Sequence, residues 1–228
     1  MCFMQKSAFF SVFLLILFLT TLFSFFTINR EFFDDQNANT QLFSNQVEKG
    51  VSSAQNGSTA LNSSLPIQGI NIGNALEAPF EGLWGVHIQS SYFDRIKEAG
   101  FKLVRLPVKW SAHATAATPY TIDLNFFARI DQVINWALTR NLTLILNCHH
   151  YDEMAVDPQS HRERLRVIWE QVSIHYCNYS DQLVFEIMNE PNGALDSNVE
   201  LWNAIANETY TTIRQSNPTR KIMIGGTN

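Results

Sequence analysis

Asn189 and Glu190 stand side by side at the end of an apolar run, Val184-Phe-Glu-Ile-Met188, and Pro191 follows them directly. A carboxyl group with an amide beside it is the equipment of glycoside hydrolysis. The carboxylic acid protonates the departing oxygen and then acts as a base. The amide holds the sugar 2-hydroxyl, a contact that strengthens in the transition state. A lone glutamate at a strand end is more often half of an ion pair. Here the flanking amide and proline, and polar groups ending other apolar runs, reverse that reading.

The other candidates also sit where apolar runs end. His149 and His150 follow Leu142–Cys148. Consecutive side chains of an extended segment point to opposite faces, so Cys148, His149 and His150 cannot easily converge on one ion. No zinc-type Cys or His spacing occurs elsewhere, and no metal is expected. Alternation directs His149 toward the strand-end face and Cys148 toward the helices. His149 and His150 are then hydrogen-bond donors to substrate hydroxyls, with a structural role the bland reading of His150. Arg105 ends Phe101–Leu106 and needs an anionic partner, because an unpaired buried charge is costly. The natural partner is an ionised carboxylate acting as nucleophile, and no strand-end candidate for it is found in the chain. Asp152 and Glu153 fall in an expected loop. Asn74 and Glu77 follow the first apolar run. Trp84 and Trp110 are each as suited to core packing as to stacking on a pyranose ring.

These residues must be positioned by alternating strands and helices. Strands are expected at Gln68–Gly73, Phe101–Leu106 (closed by Pro107), Leu142–Cys148, Leu183–Met188 and Lys221–Gly225. A helix from Ser91 to Ala99 stops at Gly100. Asp123 caps a helix whose apolar residues, from Phe126 to Leu138, recur with a period of 3.6. Ser160-His-Arg-Glu163 reads as a capping box opening the next helix, and a last one runs from Asn198 to Gln215. Single helices between strands imply a parallel sheet. With no Gly-rich phosphate loop after the first strand and polar groups gathered at strand ends, a barrel is favoured over a doubly wound sheet.

A net charge of −5 and the lack of a basic face exclude nucleic acid as a partner. Ala8 to Ile28 is an uncharged stretch of 21 residues, preceded by Lys6 and followed by Arg30. As a helix it would span a hydrocarbon core of about 30 Å. An uncleaved signal-anchor fits slightly better than a cleaved signal peptide, since no small-residue cleavage site is evident. Both place the rest of the chain outside the cytosol. The chain therefore divides into residues 1–30, a signal peptide or anchor; 31–65, a flexible polar linker; and 66–228, the folded domain. Cys148 and Cys177 are expected as free buried thiols, since two cysteines make no disulfide framework, with a bridge between them in an oxidising compartment the alternative. Sequons fall at Asn56, Asn62, Asn141, Asn178 and Asn207.

Taken together, Gly69-Ile-Asn-Ile-Gly-Asn-Ala-Leu-Glu-Ala-Pro79, Val104-Arg-Leu-Pro107, Asn147-Cys-His-His-Tyr151 and Phe185-Glu-Ile-Met-Asn-Glu-Pro191 resemble glycoside hydrolase family 5, the cellulase family. The likeness is nearest to bacterial-type endo-β-1,4-glucanases. It implies an α/β (β/α)8 TIM barrel, truncated here after about five strands, since about 160 residues stand against roughly 250 for a complete barrel. It implies a retaining mechanism with Glu190 as acid/base and Asn189 as its partner, and Arg105 orienting the nucleophile. Asn74, Glu77, His149 and His150 would line the sugar subsites. No cofactor is implied, the partner is a β-linked polysaccharide, and a monomer is expected. The family's nucleophilic Glu, His-x-Tyr pair and stacking Trp belong to later strands and are expected to be missing. An inactive barrel fragment with weak glycan binding is the alternative for activity, and a mannanase the alternative for substrate.

Overall fold

The computed structural model describes residues 68–227, which lie within one unit, Ser63–Asn228. The proposed export segment and linker fall outside the described residues. Five strands form one parallel sheet in chain order: β1 (Gly69–Asn71), β2 (Leu103–Val108), β3 (Thr143–Cys148), β4 (Leu183–Glu186) and β5 (Ile222–Met223). Helices fill the connections: α1 (Ser90–Glu98), α2 (Leu124–Leu138), the short α3 (Asp152–Val156), α4 (Pro158–His175) and α5 (Val199–Ser216). Sequential pairing without reversal is what a (β/α)8 barrel requires of consecutive units, and the sheet is an arc of one.

Local chemistry sets the helix limits. At the end of α1, Gly100 takes φ +90°, Phe101 N donates to Ile96 O and Gly100 N to Lys97 O. That is the Schellman closure, which favours a residue without Cβ. Asp123 accepts from Asn125 N at 2.6 Å and Phe126 N at 3.3 Å to open α2. The next major helix differs from expectation. Asp157, not Ser160, caps α4, accepting from Ser160 N at 3.2 Å, with Pro158 in the first helical turn. Glu163 does not reach back to close a capping box; it pairs with Arg166 at 2.8 Å. The Asp-Pro pair wins because proline sits well where no N–H is needed. Asp152 and Glu153, expected in a loop, open α3.

The two faces of the sheet differ sharply. Val104, Leu106, Val108, Leu144, Leu146, Cys148, Leu183, Phe185 and Ile187 all belong to the main core under the helices. The alternate residues Leu103, Ile145 and Val184 form a separate apolar cluster on the inner face. One step further along the strands the inner face turns polar, with Arg105, Asn147 and Glu186. Strand β2 runs through Pro107 to Val108 instead of stopping there. The missing N–H of Pro107 falls on the β1 side, beyond the last β1 pair at Asn71–Arg105, so no ladder bond is lost. Both described cysteines are free; Cys148 is buried as expected, but Cys177 is only half-buried.

Candidate active site

Arg105 is the centre of the polar layer. Its Nε donates to Glu186 Oε2 at 2.7 Å and its Nη2 to Glu186 Oε1 at 2.6 Å, a bidentate pair. Nη2 also donates to Asn189 Oδ1 at 2.8 Å, and Nη1 to Asn71 Oδ1 at 3.0 Å. The chain thus contains the carboxylate partner that sequence reasoning did not find for Arg105. Register explains it: Arg105 lies opposite Ile145, and Glu186 opposite Asn147, so the two charges lie on the same inner face two strands apart, within reach of a long guanidinium. A charge inside the otherwise apolar Leu183–Met188 run was the signal that could have disclosed Glu186. Asn71 was detectable only through its alternation with Gly69 inside β1.

The segment carrying Asn189 and Glu190 is pinned on both sides. Asn189 N donates to Cys148 O at 2.8 Å, Ile187 N to Met223 O at 3.1 Å, and the buried Trp169 Nε1 to Ile187 O at 2.8 Å. Arg105 occupies the carbonyl of the Asn189 side chain, which leaves its NH2 to serve as a donor. Glu190 is exposed at φ +37°, and Asn192 Nδ2 braces its backbone by donating to Glu190 O at 2.9 Å. Among the described residues no cation pairs with the Glu190 carboxylate, so the ion-pair role open to a strand-end glutamate is filled by Glu186 instead.

Three non-glycine residues with left-handed backbone, Asn74 (φ +63°), His150 (φ +50°) and Glu190 (φ +37°), follow β1, β3 and β4. Such conformations cluster at functional sites, where the surroundings enforce them. Asn74 is exposed, whereas Glu77 is 5% exposed and turned into its own loop. The Glu77 carboxylate accepts from Asn74 N and, at 2.9 Å, from Ala75 N. Gly73 lies against it, since a Cβ there would meet Glu77 Oε1 at 3.3 Å. Glu77 therefore shapes the loop that presents Asn74.

His149 and His150 meet edge to face with centroids 4.5 Å apart, and Trp84 packs edge-on against His150 at 5.7 Å. Burial, helped by His150 and Arg105, pushes the His149 pKa down to about 4. His149 is consequently neutral near pH 7. Trp84 is 45% exposed and Trp110 wholly buried, which separates the two tryptophans the sequence could not. Trp110 packs against Phe126 and Phe127. Lys109 reaches across to Asp152 at 2.8 Å.

A parallel β/α arc whose strand ends gather a glutamate, an amide, one paired arginine and aromatic rings is part of a (β/α) barrel. The model of the cellulase family, glycosyl hydrolase family 5, matches residues 60–228, and the chain belongs to that family. It is 44% identical over 159 residues to Endoglucanase H of Acetivibrio thermocellus, covering 69% of this chain and 17% of that protein. Endoglucanase B of Clostridium cellulovorans is 31% identical over 174 residues, with 40% of its length covered. The endoglucanase Cel5A of Thermotoga maritima, 49% identical, superimposes with a TM-score of 0.68 over 70% of this chain and 51% of its own. Structures of that enzyme hold cellobiose in one case and mannotriose in another. The chain spans about half of the Thermotoga enzyme's length, and less of these two curated relatives.

Proposed function

We propose that this chain carries the acid/base side of a retaining endo-β-1,4-glucanase site, with Glu190 as general acid and then general base. The observation that supports it best is the division of labour between two glutamates four residues apart. Glu186 is consumed by Arg105, while Glu190 stands exposed past the strand end with no cation on it among the described residues. Asn189, its carbonyl occupied by Arg105, offers its NH2 to the sugar 2-hydroxyl. His149, His150 and Asn74 bind further hydroxyls, and the exposed ring of Trp84 is a platform for a pyranose face. The nucleophile is a second carboxylate about 5 to 5.5 Å from Glu190, as double displacement demands. It comes from a strand after β5. The uncharged stretch from Ala8 to Ile28 supports export, secreted or tethered, and the protein acts as a monomer on extracellular polysaccharide.

A glucan preference rests on the endoglucanase names of the relatives. The mannotriose bound by the Thermotoga enzyme keeps mannan as the second substrate to assay. The deciding test is Glu190→Gln in the complete enzyme. Turnover on soluble β-glucan should fall by about 10² to 10⁴. An aryl cellobioside, whose leaving group needs no protonation, should still release its phenol in the first step. Near-normal polysaccharide turnover would remove Glu190 from the acid/base role. The chain of 228 residues assayed alone should release no reducing sugar from the same polymer. Robust hydrolysis there would overturn the placement of the nucleophile beyond β5.

A further inference from the structure

Asn147 lies on the inner face of β3 and is fully buried, yet its Nδ2 has no hydrogen-bond partner. Its Oδ1 is 2.7 Å from His149 Nδ1. A buried polar side chain that uses one edge of its amide and leaves the other bare gives up stability, and that calls for a reason. We propose that Asn147 is a positioning residue that fixes His149 as its Nδ1–H tautomer, leaving Nε2 as an acceptor for a hydroxyl of the bound glycan. This reverses the donor role read from the sequence for His149, and its ligand part rests on the glucanase reading above.

Register decides which way the amide faces. The residues level with Asn147 are Pro107 on β2 and Glu186 on β4. Proline offers its flank no polar group, and the charge of Glu186 favours the NH2 edge of the amide as its neighbour over the carbonyl edge. The carbonyl is therefore the edge left for His149, and a carbonyl can only accept. Nδ1 must then carry the proton. The imidazole is also held against gaining a second proton, because burial and the guanidinium of Arg105 disfavour a cation there. With Nδ1 protonated and the ring neutral, Nε2 presents a lone pair. His149 N, bonded to Val108 O at 2.8 Å, fixes the backbone from which the ring projects. The site then recognises a sugar hydroxyl as donor at His149 and as acceptor at Asn189, which sorts hydroxyls by their hydrogen-bond direction.

Long-range ¹H–¹⁵N correlation spectra of the full chain at neutral pH read the tautomer directly, with His149→Gln assigning the signals. Nδ1 should resonate as a protonated, pyrrole-type nitrogen and Nε2 as a pyridine-type one; the opposite pattern overturns the proposal. Asn147→Leu should lose the Nδ1–H signature and weaken cellotetraose binding about tenfold, the worth of a hydrogen bond. An unchanged pattern in Asn147→Leu also overturns it. Asn147→Asp, which can still accept, should keep the Nδ1–H form and raise the pH at which His149 protonates. This variant decides the matter if Asn147→Leu fails to fold, and a midpoint that stays put counts against the contact. Cellotetraose added to the wild-type chain should shift the Nε2 resonance. Binding that leaves Nε2 untouched overturns the acceptor role, whereas the Nδ1–H tautomer with no cellotetraose binding overturns the glucan reading and spares the role of Asn147.

Discussion

The two ends of the strands each hold an arginine, Arg105 on the inner face and Arg220 on the helix side, and the contrast between them separates fold from chemistry. At the N-terminal end Arg220, 3% exposed, donates to the carbonyls of Leu183, Tyr176, Ser180 and Tyr179 at 2.7 to 3.0 Å, and to Asn217 Oδ1 at 2.6 Å. Among the described residues no carboxylate forms a salt bridge with it, and Asp181 acts on it only through charge; it clamps the loop that leads into β4. At the C-terminal end the guanidinium of Arg105 meets no backbone acceptor among the described residues. The guanidinium's hydrogen bonds go to side chains: Asn71 of β1, Glu186 of β4 and Asn189 just beyond. An arginine spent on carbonyls fixes the path of the chain. An arginine spent on side chains fixes where functional groups point, which is what the mouth of a barrel has to do.

The largest effect should come from replacing each arginine by methionine in the complete enzyme. Arg105→Met leaves the partly buried Glu186 unpaired, a loss of up to about 3 kcal/mol. It also frees Asn189, and turnover on soluble β-glucan should fall about 10²-fold. Arg220→Met strands several buried carbonyls and should lower stability by a similar amount, while turnover per folded molecule stays within about twofold of normal. Urea unfolding beside active-site-normalised kcat measures both. If Arg220→Met lowers kcat as much as Arg105→Met, the contrast is lost. The double variant Arg105→Met/Glu186→Met sharpens it. Two apolar side chains in place of a partly buried ion pair should recover most of the lost stability, to within about 1 to 2 kcal/mol of wild type. Turnover should not recover, because nothing then holds the amide of Asn189.

Much of the fold was legible in the sequence because its periods are clean. The run from Phe126 to Leu138 announced α2, and five of its six buried residues, Phe127, Ile130, Val133, Ile134 and Ala137, lie beside or along the stripe that Phe126 begins. The placement of His149 on the inner face and Cys148 on the helix face followed from alternation alone. The partners of the candidate site were harder to see, because pairing across a sheet depends on register. Nothing local to Arg105 discloses that β4 sets Glu186 level with Asn147, and nothing local to Asn147 discloses that its amide would meet the ring two residues on. Trp84 and Trp110 show the same limit: equal as residue types, they were separated only by what packs around them.

Trp169→Phe should give a smaller effect that tests whether the helix side of β4 matters to the mouth. The indole donates to Ile187 O, two residues before Asn189, from a wholly buried position between β4 and α4. Phenylalanine keeps much of the apolar contact with Phe185 but leaves Ile187 O without that donor, a loss of about 1 to 3 kcal/mol. If the pinned strand end positions Asn189 and Glu190, kcat should drop several-fold while KM stays near normal. A stability loss with unchanged kcat would assign Trp169 to the fold alone, on the side of Arg220.

The gentlest test is acid. His149 at the mouth has its pKa pushed down to about 4 by burial, with His150 and Arg105 adding to it. His113, stacked on Phe126 with centroids 3.5 Å apart, is also lowered by burial, and Asp123 only partly opposes this. In the unfolded chain both rings protonate near 6.5. Below that pH the unfolded state binds protons that the folded state refuses, so stability rises with pH and is lost as pH falls below about 6.5, for His149 down to about 4. The depressed carboxylates act lower down. Glu81 is raised by burial but lowered more by the hydrogen bonds from Arg129 and the Ile88 N–H, and its stabilisation is lost only as pH falls below the ordinary carboxylate value of 4.5. Since His149 is partly in contact with solvent, its share should be about 1 to 2 kcal/mol after screening. Urea unfolding between about pH 7 and about pH 5 should therefore show a slope that His149→Gln flattens and His113→Gln flattens separately. Equal slopes in wild type and His149→Gln would mean that the ring is already solvated, and a solvated ring could not be held in one tautomer at the mouth.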